Sequence, residues 1–414
     1  MPSPLEVLAP ARLGGSFRWL LASAWVSNLG DGIALAAGPL LVASQTHSPF
    51  LVASAAMVQR VPWLLLGLFA GAIADRVDRR LLVALVDLAR ACVLAVLAAA
   101  IVMAWVDITV VLVAMFLLGV AEVFADTTSG TLLPMLVAKP DLGTANARLQ
   151  GASLITNQMA GPPLGAGLFA LGTALPFVTQ GVFVALGAVL VLQVRVRRLP
   201  TRTGGAAAVG GRVREEIREG ISWLLGHPAM RTLALVILTF NVTWGAAWSV
   251  LVLWALERLG MGEVGFGLLT TATAIGGLAA TATFGWLDRN VSYQLLMKVC
   301  LTTEVLMHLA LALTTAPWVA LLLMFCFGFY AFVWATVSQT IRQRTVPEEF
   351  QGRVGSVYLV GIFGGLVIGQ AIGGVIADHW GVVAPFWFAF VGSGITLALV
   401  WRQLAHIARA TAST

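Results

Sequence analysis

Apolar residues in this chain come in long unbroken runs, not at the 3.6-residue or two-residue spacing of a half-buried helix or strand. A helix needs about 20 largely apolar residues to cross a hydrocarbon layer. Runs of that length predict spans near 18–44, 50–74, 81–105, 108–132, 147–171, 174–194, 230–256, 265–286, 292–314, 317–340, 353–377 and 383–404. Six lie on each side of a polar stretch. The predicted organisation is a six-helix half at 1–194, a linker at 195–229 and a second six-helix half at 230–414. The fold class is an all-α membrane protein with twelve transmembrane helices in two pseudo-symmetric halves.

Composition agrees with this pattern. Hydrophobic residues make up 59% of the chain and charged residues 11%, against about 25% charged in soluble domains. The first apolar stretch, Trp19 to Ser44, exceeds the ~7–15 residues of a cleavable signal core, so it reads as a first spanning helix. Trp19, Trp105 and Trp318 fall near span ends, where tryptophan favours the membrane–water boundary. Cys92, Cys300 and Cys326 lie inside apolar runs without metal-type spacing and read as inert core thiols.

Charge sets the expected orientation. The net charge is +6, but the basic residues gather in alternate loops, which argues for membrane topology and against nucleic acid. Arg76, Arg79 and Arg80 follow span 2, and Lys139 follows span 4. Arg195, Arg197, Arg198, Arg202, Arg212, Arg214 and Arg218 fill the linker; Arg289, Arg342, Arg344 and Arg353 follow spans 8 and 10. The opposite loops are short and nearly bare, apart from Arg258. Basic loops stay in the cytoplasm, which places both termini there.

The linker divides into a glycine-rich part, 199–211, and an amphipathic part, 212–225. Val213, Ile217, Ile221 and Leu224 share one face of the latter, so it either lies along the membrane surface or is a solvated linker helix. The halves also repeat at offsets near 210 residues. Gly71-Ala-Ile-Ala-Asp75-Arg76 matches Gly285-Trp-Leu-Asp288-Arg289, and Gly161-Pro-Pro-Leu-Gly165 matches Gly369-Gln-Ala-Ile-Gly373. Val137-Ala-Lys-Pro-Asp141 matches Val346-Pro-Glu-Glu-Phe350.

These motifs resemble the major facilitator superfamily of transporters over nearly the whole chain. Gly71, Asp75, Arg76, Arg79 and Arg80 look like its gating loop between helices 2 and 3, although Asp78 stands where the pattern usually has glycine. Gly161, Pro162, Pro163 and Gly165 look like the helix-5 antiporter motif of exporters. Ser27-Asn28-Leu-Gly-Asp31, Glu122 with Asp126, and Asn157-Gln158 resemble the branch of enterobactin and macrolide exporters. The helix-4 arginine of many proton-coupled members is missing; Gly119-Val-Ala-Glu122 stands there. The resemblance implies a monomeric carrier in a bacterial cytoplasmic membrane, moving a small molecule against protons, with no cofactor beyond the proton gradient. Uptake of a metabolite or lipid is the alternative, and a non-transporting receptor ranks below it. No nucleophile, metal cluster or phosphate loop suggests an enzyme.

Ionisable residues at membrane depth are costly, which marks them as functional candidates. Asp31 and Glu122 are expected to form a proton site with Arg60 as counter-charge, and Asp126 lies one turn from Glu122. A carboxyl in a half-dry cavity can hold a proton near neutral pH. The structural alternative is an ion pair that only ties helices together. Asp75 is expected to latch onto the start of helix 11 near Arg353, with Arg79 and Arg80 on nearby acids or lipid phosphates. Asn28, Asn157, Gln158, Asn241, Trp244, Trp248 and Phe329 are candidates for the substrate cavity. Glu304 and His308 form a further i, i+4 pair in span 9. Gly361, Gly365, Gly369 and Gly373 suit close helix packing.

Overall fold

A computed structural model describes residues 11–74, 77–138, 141–195, 215, 218–347 and 350–409. The described chain is almost wholly helical. The long helices are α1 (Gly15–Gln45), α2 (Pro49–Ala74), α3 (Arg79–Val102) and α4 (Ile108–Leu136). Helix α5 comes in three pieces: α-helical Leu142–Ser153, π-helical Leu154–Ala160 and α-helical Gly161–Leu171. Then follow α6 (Leu175–Leu192), a short linker helix over 218–226, and α7 (Pro228–Trp248), which continues through Leu251–Leu253 into a π-turn at Trp254–Arg258. The rest are α8 (Glu263–Asn290), α9 (Tyr293–Leu313), α10 (Pro317–Thr345), α11 (Gln351–Trp380), α12 (Ala384–Val400) and the short α13 (Gln403–Arg409).

Ten of these helices are long and apolar enough to span a membrane. The other two expected spans are α5, interrupted by its π-segment, and α12, only 17 residues long. Helix starts follow local chemistry. Asp107 accepts the amide of Val110 at 2.8 Å ahead of α4, and Ser292 accepts that of Leu295 at 3.3 Å ahead of α9. Prolines open α6, α7, α10 and α12, where a missing N–H costs nothing.

The chain forms two compact units. One covers Met1–Gln45 and Val61–Val209; the other covers Thr46–Arg60 and Gly210–Thr414. In the first, α1 packs on α5 and α6, and α3 packs on α4 and α6. Phe17, Leu21, Val83, Leu132 and Val191 form part of its core. In the second, α7 packs on α11 and α12, α8 on α10, and α9 on α10 and α12. Residues 46–60 join this unit: Ser48 donates to Asp378 at 3.0 Å, and Phe50 and Ala53 pack against Gly374.

Glycines decide which helices approach most closely. A Cβ on Gly32 of α1 would meet the backbone of Thr156 and Asn157 in α5, and one on Gly165 would overlap the backbone of Ile33. A matching seam joins α7 to α11, where Gly365, Gly369 and Gly373 face Leu238, Val242 and Ala246. Gly361, the fourth of that series, faces open space. Lipid-type surface is plentiful: Leu65, Val96, Val182, Leu322 and Leu399 are exposed. Trp105 and Trp318 are exposed at helix ends, in line with a boundary role. Of the three thiols only Cys300 is buried; Cys92 is exposed on α3, because the apolar run that carries it faces outward there.

The short linker helix buries one face, which includes Leu224 of the expected stripe but not Ile221. Gly220, Trp223 and Leu224 turn inward and Ile221 outward. Gly220 abuts the Arg353 backbone, Glu219 pairs with the Arg353 guanidinium at 2.9 Å, and Trp223 stacks on Phe350. The glycine makes the approach possible. Val213, Ile217 and the stretch 199–211 lie outside the described residues.

Candidate functional site

The first unit holds a group of charges that α1, α3 and α4 bring together. Arg90 of α3 is its centre, with a side chain only 7% exposed. Its Nη2 donates to Asp31 Oδ1 of α1, and its Nη1 lies 3.2 Å from Asp87 Oδ1, one turn back on α3. Asp87 is 5% exposed and Asp31 29%. Glu122 and Asp126, one turn apart on α4, lie within electrostatic reach of the same guanidinium. Four carboxyls therefore share one buried cation; Asp87 is buried and Glu122 half-buried, while Asp31 and Asp126 have access to water.

This arrangement relocates the counter-charge expected of Arg60. Arg60 falls among the residues 46–60 that pack with the other unit, and no ion pair to it occurs among the described residues. Asp31 pairs with Arg90 because α1 and α3 both pack on α6, which brings their facing sides together. Sequence reasoning passed over Asp87 and Arg90, yet a signal was present: an i, i+3 acid–base pair inside an apolar span.

In the gating motif, Asp78 earns its place as the N-cap of α3. It accepts the amides of Arg80 at 3.0 Å and Leu81 at 3.2 Å. Arg80 reaches the carbonyls of Leu192 and Val194 at 3.3 and 3.2 Å, at the C-terminal end of α6, where a cation suits the exposed acceptors. Arg79 contacts the Met135 sulfur at 3.0 Å. Arg80 also lies 3.9 Å from Asp78. Gly71 lies in the last turn of α2, while Asp75 and Arg76 fall outside the described residues. Arg353, the expected neighbourhood of the latch, is engaged by Glu219.

The helix-5 motif sits directly after the π-segment. Gly161 donates its amide to Thr156, five residues back, and Pro162 and Pro163 begin the α-helical piece without amides of their own. Gly161 and Gly165 then press on the backbone of α1 at Gly32 and Ile33, next to Asp31. Asn157 and Gln158 belong to the π-segment. The Asn28 amide is turned back onto Ala24, at 2.7 Å.

The aromatic candidates divide. Trp244 and Trp248 stack with ring centres 4.8 Å apart, and Phe327 closes a triangle at 5.5 and 5.6 Å. Phe327, not Phe329, is the α10 partner. The backbone around Phe325 and Phe329 is taken up by the α8–α10 seam at Gly276. Asn241 bonds back to Ile237 at 2.7 Å and borders the α7–α11 seam at Gly365. Among the described residues no cluster of His, Cys, Asp and Glu has the makings of a metal site.

Two helical units with charged groups buried at membrane depth define a multi-pass membrane transporter. The sequence matches the Major Facilitator Superfamily over residues 20–369 and 233–412, and the chain belongs to that family. It is 28% identical over 391 residues to the multidrug efflux pump Tap of Mycolicibacterium fortuitum, covering 90% of this chain and 91% of that protein. It is 27% identical over 391 residues to the uncharacterised MFS-type transporter YfiS of Bacillus subtilis strain 168, covering 89% and 88%. Among solved structures, the nucleoside transporter NupG aligns with a TM-score of 0.74 at 12% identity, covering 94% of this chain and 99% of that one. A bacterial homologue of the iron transporter ferroportin aligns with a TM-score of 0.71 at 17% identity, covering 95% and 98%. These two show the fold alone.

Proposed function

We propose that this transporter is a proton-coupled exporter of drug-like, siderophore-like or other amphipathic small molecules, working by alternating access. The observation that carries this reading is the excess of carboxyls around Arg90. Four ionised acids around one cation leave a surplus of negative charge in a medium that solvates charge poorly. Taking up protons relieves the surplus. Asp31, which is partly open to water and paired directly with Arg90, is the group through which protons enter and leave. When Asp31 is protonated its attraction to Arg90 falls, so proton binding is coupled to how tightly α1 is held to α3. A cationic or polar substrate competes for the same acid.

The driving force suffices. One proton moving down about 150 mV releases roughly 3.5 kcal/mol, at ~2.3 kcal/mol per 100 mV. That sustains a roughly 300-fold gradient of a neutral solute, at ~1.4 kcal/mol per decade. Similarity to an efflux pump along nine-tenths of the chain supports outward transport. The alternating basic loops support a bacterial cytoplasmic membrane with both termini inside.

The test is accumulation of a panel of dyes and antibiotics in cells that make the intact chain or Asp31→Asn, with and without a protonophore. Reduced accumulation that vanishes with either the protonophore or the substitution is expected. Extrusion that persists in Asp31→Asn overturns the role of this acid. A panel on which the intact chain has no effect, or whose members it concentrates inside, moves the reading to uptake.

A further inference from the structure

The second unit buries an acid and an imidazole that the proposed mechanism does not use. Glu304 and His308 lie one turn apart on α9, with Nε2 3.8 Å from Oε1. His308 is 1% exposed and Glu304 is buried beside it. Both ring nitrogens of His308 lack a hydrogen-bond partner among the described residues. A buried polar group without a partner is costly, and such groups often mark a water or a titrating site. The ring borders a small cavity, on the order of one water molecule in size. Trp244, Trp248, Met307, Met324 and Phe386 form part of its apolar wall.

The surroundings offer this pair no compensating charge. The neighbouring titratable groups are Cys300 on α9 and Tyr330 on α10, and the Tyr330 hydroxyl points to the Met307 sulfur at 3.8 Å. Helix α12, also packed on α9, carries no ionisable side chain along Ala384–Val400. Lys298, a turn and a half before Glu304, lies over the Trp401 ring at 4.5 Å. In such a site a carboxylate beside a neutral imidazole leaves a bare negative charge, whereas one shared proton leaves the pair neutral overall.

We infer that Glu304 and His308 form a second proton-binding site, in which the two side chains share one proton. The half-buried triangle of Trp244, Trp248 and Phe327 screens the His308 cavity, and Phe327 meets Tyr330 edge-on at 5.6 Å. Protons reach the pair when these rings part. The site lies wholly within the second unit, so it does not depend on Asp31, on the cargo or on the direction of transport.

Infrared difference spectra of the purified protein between acid and alkaline pH read this directly, without any substrate. Among the carboxylic-acid bands, one component is expected in the intact protein and in Asp31→Asn and is missing in Glu304→Gln. In His308→Asn the band stays, but its midpoint moves by about one pH unit or more, the coupling expected of a shared proton. A spectrum unchanged by Glu304→Gln, or a midpoint unmoved by His308→Asn, overturns the inference. Should the Glu304 variant fail to fold, His308→Asn decides alone.

Discussion

Replacing Arg90 by glutamine removes the cation that four carboxyls share. At 3.2 Å from Asp87, a unit charge pair attracts by about 5 kcal/mol at an effective dielectric constant of 20. Desolvation offsets part of that gain, but losing one partner of a buried pair still costs about 3–5 kcal/mol, because the other charge is stranded. Asp31→Asn is milder. It leaves Arg90 paired with Asp87, so its cost is that of one charged hydrogen bond, about 1.5–3 kcal/mol. The triple variant Asp31→Asn, Asp87→Asn, Arg90→Gln strands nothing on α1 or α3 and recovers most of the loss. Unfolding of the detergent-solubilised protein, followed by tryptophan fluorescence, ranks the three. The order expected is Arg90→Gln least stable, then the triple variant and Asp31→Asn close together. If Arg90→Gln is no worse than Asp31→Asn, or the triple variant is simply the sum of its parts, Arg90 does not hold this group of charges together.

The seams give paired tests. Gly165→Ala is expected to lose about 1–3 kcal/mol through overpacking against Ile33, whereas Gly167→Ala, with nothing near its Cβ position, gains up to about 1 kcal/mol from helix propensity; melting temperatures of the two variants should move in opposite directions. On α11, Gly369→Ala should destabilise while Gly361→Ala is tolerated, read in the same assay. Asp78→Ala removes the cap of α3 and should cost about 1 kcal/mol, with a glycine there costing less. Glu219→Ala breaks an ion pair whose side chains are about 40% exposed, so its stability change should stay below about 1 kcal/mol.

Helix positions were readable because membrane depth imposes length on apolar runs. The run at 265–286 became Glu263–Asn290, and that at 317–340 became Pro317–Thr345. The glycine spacing on α11 correctly announced a seam, since only close backbone approach rewards such a series. What the sequence did not disclose was pairing across helices. Asp31 and Arg90 are 59 positions apart, and nothing local distinguishes Arg90 from Arg60 as the partner. Phe327 and Phe329 differ by two positions, about 200° around a helix, and which one meets the tryptophans depends on how α10 seats on α8. The π-segment was equally hidden. Gly-Pro-Pro announces a break in the ladder, but not that the extra residue is absorbed before the prolines.

The α1–α5 and α7–α11 seams are made from backbone and glycine, with hardly a side chain in between. A contact of that kind carries no information about cargo. Residues that point away from the seams can be exchanged over generations without loosening the frame, provided the glycines stay. A frame built this way leaves the cargo-facing side chains free to change while the architecture stays the same.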